Sequence, residues 1–263
     1  MKPRRISKSS ARISGTRRPT VEGRGKVGAS LQEAALERMT GTIADLERCR
    51  EPTLAEATHE IRRHGKKLRA LLRLVRSCLG RRVYEAEDAG LRAMGRKFGK
   101  LRDAHVRVHA LDALRKRYFE RPQPALLTQA RRLLLAKAGR RARRLTRGDT
   151  IAVTTAALQA ARTRCLGWEV QGFGWKEALG ALRQSYHRTR VAGVRASAEP
   201  SIKRLHAWRK TTKELGEQVK LLHKLDPRSM HELAHELDVL SEFLGDDHDL
   251  TLLRDELTAQ RAR

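Results

Sequence analysis

Two stretches of this chain, 147 residues apart, repeat a pattern that makes sense only on a helix. The first is His59-Glu60-Ile61-Arg62-Arg63-His64-Gly65-Lys66-Lys67-Leu68-Arg69. The second is His206-Ala207-Trp208-Arg209-Lys210-Thr211-Thr212-Lys213-Glu214-Leu215. Each has a His followed by bases three, four and seven positions later, offsets that share one helix face. Stepping about 100° per residue puts His59, Arg62, Arg63, Lys66 and Arg73 on one side of the first helix. Ile61, Leu68, Leu71, Leu72 and Val75 fall opposite. In the second helix His206, Arg209, Lys210, Lys213 and Lys220 cluster, opposed by Trp208, Leu215, Val219 and Leu222. Arg69 extends the first basic run. An ordinary solvated face mixes Glu with Lys to gain i,i+4 pairs. Here Glu60 lies beside the first row and only Glu217 interrupts the second. The pattern predicts two helices that bury one stripe and offer fixed positive charge to a polyanion.

The rest of the chain is helix-forming, and no segment alternates as a strand. Thr53-Leu54-Ala55-Glu56 reads as a capping box opening the first basic helix, which would run to about Leu79 before Gly80. Pro200 and Ser201 open the second. Asp226-Pro227 reads as an N-cap with proline at the first helical position, and Pro122, Pro124 and Gly148-Asp149 mark breaks. The expected fold class is all-α, built of antiparallel helices of about 15 to 28 residues. A second signal follows each basic helix: Phe98-Gly99-Lys100-Leu101-Arg102-Asp103-Ala104-His105, then Phe243-Leu244-Gly245-Asp246-Asp247-His248-Asp249. Pairing Asp103 with Asp246 gives an offset of 143, close to the 147 of the histidines. The expectation is an internal duplication, with halves at about 29–145 and 149–263 related by a pseudo-twofold axis that brings both basic rows to one surface. Residues 1–28, with nine Lys or Arg and one Glu, read as a disordered basic tail. They serve either as a solvated tail or as an accessory polyanion-binding arm.

A formal charge of +27 and a pI near 11.2 suit nucleic acid, inorganic polyphosphate or an anionic membrane surface. The same field opposes compaction, so a bound anion should stabilise the fold. Aromatic residues make up 4% of the chain, which leaves the core to Leu, Ala and Val. Cys49, Cys78 and Cys165 are well separated and form no CxxC, which favours a reducing compartment over a disulfide framework or zinc site. No run approaches the ~18 apolar residues of a membrane span, and the basic N-terminus lacks the apolar stretch of a secretory signal. The cytoplasm is the expected location; no cofactor is expected, and the oligomeric state is left open.

Taken together, these motifs resemble the conserved-histidine α-helical domain, the CHAD family, over about Ala29 to Leu257. That family shows a His followed by Arg and Lys at helical spacing in each of two halves, and a Leu-Gly-x-x-Arg-Asp-x-Asp-like element after each. The helix Leu182-Arg183-Gln184-Ser185-Tyr186-His187-Arg188-Thr189-Arg190 resembles its Tyr- and Arg-rich segment. The resemblance implies two four-helix halves around a basic central channel that binds inorganic polyphosphate without catalysis, with targeting or scaffolding at polyphosphate granules as the role. Carried over, it assigns binding to His59, Arg62, Arg63 and Lys66, to His206, Arg209, Lys210 and Lys213, to Arg102, and to Arg183, Tyr186 and Arg190. In the second half Gly245-Asp246-Asp247 stands where Arg102-Asp103 stands in the first, without the Arg. The sequence has no ExExK motif, so the triphosphatase-like CYTH domain that often accompanies the family is not expected in it.

Two other readings compete. Net charge equally suits binding to a nucleic-acid backbone at low salt, although the scattered Trp168, Trp175 and Trp208 offer no stacking platform. His231-Glu232-Leu233-Ala234-His235 fits HExxH, which on a helix would hold zinc between two histidines with Glu232 as general base. No third ligand is marked. The acidic run Asp246-Asp247-His248-Asp249 has a plainer role as N-cap of a last helix and as partner for nearby bases.

Overall fold

The computed structural model describes residues 27–50, 53–118, 125–223 and 227–261. They form eight helices: α1 (Val27–Glu47), α2 (Leu54–Leu74), α3 (Arg76–Tyr118), α4 (Ala125–Arg147), α5 (Thr150–Leu166), α6 (Trp175–Ala198), α7 (Ile202–Leu222) and α8 (Pro227–Arg261). No strand occurs among the described residues, so the all-α expectation holds. None of their helices is long and apolar enough to cross a membrane.

The apolar stripes read from the sequence do build the core. Ile61, Leu68, Leu71 and Leu72 of the first basic helix and Val75 just past its end are buried, as are Leu215, Val219 and Leu222 of the second. They join Leu31 and Met39 of α1 and Phe98 of α3 in the main cluster. A smaller cluster, Val108, Leu111, Leu134 and Leu253, joins the far end of α3 to α4 and α8. Trp208 opposes the basic row by lying on Gly193 of α6, where an added Cβ would come within 3.0 Å of the indole. Helix α2 packs on α1, α3 and α7, α7 on α6 and α8, and α3 on α8. The two basic helices therefore share a seam, flanked by α3 and α8.

Several local expectations need correction. Helix α1 starts at Val27, inside the segment assigned to the tail. Val27 is buried, and the Gly28 N–H donates to the Phe173 carbonyl at 3.1 Å. A Cβ at Gly28 would lie 2.0 Å from the Val170 carbonyl oxygen, so that contact requires glycine. Residues 1–26, the remainder of the predicted tail, lie outside the described residues. Helix α2 starts where Thr53 predicts, but the capping box does not form. The Thr53 hydroxyl donates instead to the Arg48 and Arg50 carbonyls at 2.6 and 3.0 Å, binding it to the end of α1. The helix stops at Leu74 rather than Leu79, and Gly80 then bends the start of α3 with φ 69° and ψ 160°, a conformation open to glycine. Helices α3 and α8, with 43 and 35 residues, exceed the predicted lengths. Ser201 does cap α7, accepting from the Arg204 N–H at 3.3 Å. The expected Asp226 cap lies outside the described residues. Helix α8 runs unbroken through Asp246–Asp249, so that acidic run is mid-helix and caps nothing.

Candidate anion-binding site

The seam between α2 and α7 gathers cations from four helices. From α2 come His59, Arg62 and Lys66, and from α3 Arg102. Helix α7 supplies His206, Arg209 and Lys213, and α8 supplies His248. They are close enough to perturb one another. Lys66 keeps access to solvent but is crowded by protein, the situation of a side chain on the floor of a groove. Desolvation there, with Arg62, Lys213, Arg209 and Arg102 around it, pulls its ammonium down to about 7. His59 is pushed to about 4 by burial and then by Arg102, Arg63, Lys66 and Lys213. Burial and neighbouring positive charge also lower His206, His248 and Lys213, with Asp249 opposing the shift at His248 and Lys213. The imidazoles of His206 and His248 lie 4.7 Å apart, tilted by 37°. With pKa values shifted this way, all three histidines are neutral at neutral pH, each able to donate one hydrogen bond.

Arg62 is held by the backbone and by a carboxylate. The Arg62 guanidinium donates to the Gly95 carbonyl at 2.8 Å and lies 3.9 Å from Asp103. It runs so close over Gly99 that a Cβ there would meet it at 2.5 Å. Arg209 lies beside Gly245 in the same relation, at 3.6 Å, and Asp249 raises the pKa of both Arg209 and Arg102 against the desolvation that lowers them. The buried Nε of Arg209 has no hydrogen-bond partner. Arg62 precedes Arg209 by 147 residues, and Gly99 and Asp103 precede Gly245 and Asp249 by 146.

Of the acidic run on α8, Asp249 is the carboxylate that acts on both Arg209 and Arg102. The sequence reading quoted Gly245, His248 and Asp249 in its second motif, with the acidic run as a partner for nearby bases, but did not place them among the binding residues.

The remaining candidates are dispersed. Arg63 is exposed and paired with Glu60, and Lys210 is exposed. Arg69 donates to Asp88 at 2.7 Å. Arg73 is bound by Glu214, which also accepts from Arg188 at 3.0 Å, and Lys220 by Asp238 at 2.7 Å. Arg183, Tyr186 and Arg190 stand exposed on α6. His231, Glu232 and His235 lie exposed on α8, and among the described residues no three His, Cys, Asp or Glu side chains are gathered to hold a metal.

The arrangement suits a multiply charged anion. Arg offers forked bidentate donors and Lys point charge, and a groove between packed helices concentrates their field. No curated protein and no solved structure matches the chain. The CHAD domain family model matches residues 34–258, and the chain belongs to that family.

Proposed function

We propose that this CHAD-family chain binds inorganic polyphosphate, without cleaving it, in the cationic groove between α2 and α7. The observation that carries the reading is the convergence of Arg62, Lys66, Arg102, Arg209 and Lys213 on one seam, close enough for their charges to depress the Lys66 ammonium. Like charges held this close are costly unless an anion neutralises them. A flexible chain of anionic units without bases needs many donors and nothing to stack on, and this site has donors and no aromatic platform. Family membership points to the same ligand class.

We also read the chain as an internal duplication in which α2 corresponds to α7 and α3 to α8, the groove forming a channel on the axis between them. Lys66 and Lys213, 147 residues apart, are counterparts in this scheme. The biological role in this reading is targeting or scaffolding at polyphosphate granules. The test is competition among long-chain polyphosphate, duplex DNA, RNA and heparin for the purified chain at matched ionic strength, with phosphate release followed in parallel. Preference for polyphosphate without release is expected. Equal or tighter binding of nucleic acid would replace this reading with the backbone-binding one. Cleavage would overturn the non-catalytic assignment.

A further inference from the structure

A cleft of about 560 Å³ between α2 and α3 opens off the cationic groove. It shares Arg62 and Lys66 with the groove and continues along Arg69, Arg92, Arg96 and Lys100. Arg92, Arg96 and Lys100 recur every fourth residue along α3 and are all exposed. They form a ridge about 12 Å long at 1.5 Å per residue. Buried Asp88 fixes the end away from the groove, at 2.7 Å from Arg69 and 3.2 Å from Arg92. Among the described residues no carboxylate pairs with Arg96 or Lys100. Gly95 and Gly99 line the same cleft beside Leu91 and Met94, and the Asp103 carboxylate lies at its groove end.

The matching ridge of α8 has the opposite sign. The residues 146 positions after Arg92, Arg96 and Lys100 are Asp238, Glu242 and Asp246, all exposed. Asp238 already holds Lys220 at 2.7 Å. The register that superposes the glycines and aspartates of the groove therefore inverts the charge of the two outer ridges.

We propose that the site is one-armed: a polyphosphate chain seated on the groove continues along the α2–α3 cleft over Arg92, Arg96 and Lys100, and is repelled from the α7–α8 side. This rests on the polyphosphate reading and adds a path and a direction to it. Short polyphosphate engages the groove alone, whereas a long chain also engages the arm and binds more tightly.

The test compares tripolyphosphate with long-chain polyphosphate on the full chain at one ionic strength. The variant R96E/K100E should lose affinity for the long chain by about tenfold or more, the worth of one or two charge-assisted contacts. Tripolyphosphate binding should stay within about twofold. The variant R144E/R147E makes the same change of net charge on exposed α4 positions and should weaken the long chain far less. The variant E242K/D246K should tighten long-chain binding by creating a second arm. Equal loss for both ligands in R96E/K100E, no loss for either, or equal loss in R144E/R147E would each overturn the one-armed path. Those results leave polyphosphate binding by the unaltered chain intact, whereas its failure to bind either polyphosphate would remove the underlying reading.

Discussion

Binding of long-chain polyphosphate should take up a proton at Lys66, and its affinity should fall steeply in mild alkali. The Lys66 ammonium titrates near 7 rather than 10.5 because it is desolvated and ringed by Arg62, Lys213, Arg209 and Arg102. At pH 8 such a group is about nine-tenths neutral in the free protein. A bound phosphate chain supplies the missing counter-charge and restores the charged form. Between about pH 7 and about pH 10 the complex then holds one more proton than the free protein, and affinity drops close to tenfold per pH unit. Internal phosphates of a long chain are fully ionised throughout, so the ligand adds no slope of its own. From about pH 7.5 to about 9.5 the dissociation constant should rise nearly a hundredfold. Titration calorimetry in buffers of different ionisation enthalpy counts the proton directly. Lys66→Arg, charged at every pH used, should remove about one unit of that slope. The ligand-free fold should show the opposite trend. Unfolding lets Lys66 take up a proton in this window, so stability contributed by this group grows as pH rises. Identical slopes for the wild-type protein and Lys66→Arg, or no proton uptake, would refute the argument.

Three further outcomes follow from the geometry. K66E/K213E should weaken polyphosphate binding by about a hundredfold or more with unchanged circular dichroism, whereas deleting residues 1–26 should cost far less. Gly99→Ala should displace Arg62 and lower affinity by about threefold to tenfold; Gly245→Ala, whose Cβ would meet Arg209 at an ordinary 3.6 Å, should leave it nearly unchanged. Glu214→Ala removes the carboxylate that Arg73 and Arg188 share and should destabilise the protein by about 2–4 kcal/mol in urea unfolding.

The faces of α2 and α7 were legible because a 3.6-residue period sorts Ile61, Leu68, Val219 and Leu222 from the bases without tertiary information. What lay beyond that period was not. Arg73 and Lys220 share the basic rows by angle, yet Glu214 and Asp238 claim them, and only packing tells which bases keep a partner. Which acid of α8 acts on the groove was hidden for a similar reason. Asp246 and Asp249 are three residues apart, about 60° short of a full helical turn, so both sit close to the same face, yet Asp249 is the one that acts on Arg209 and Arg102. Thr53 marked the right boundary for the wrong reason, since its hydroxyl serves the end of α1.

Glu214 and Gln218 lie on the later turns of α7, beyond the cations that face the groove. Glu214 binds Arg73 of α2 and Arg188 of α6, and the Gln218 amide donates to the Ala70 carbonyl of α2 at 3.0 Å. The same two helices are thus tied together at one place and carry crowded like charges at another. Amide exchange in the unliganded chain should accordingly be fastest around Arg62 and Arg209 and slowest around Ala70 and Gln218, and polyphosphate should slow the first pair alone.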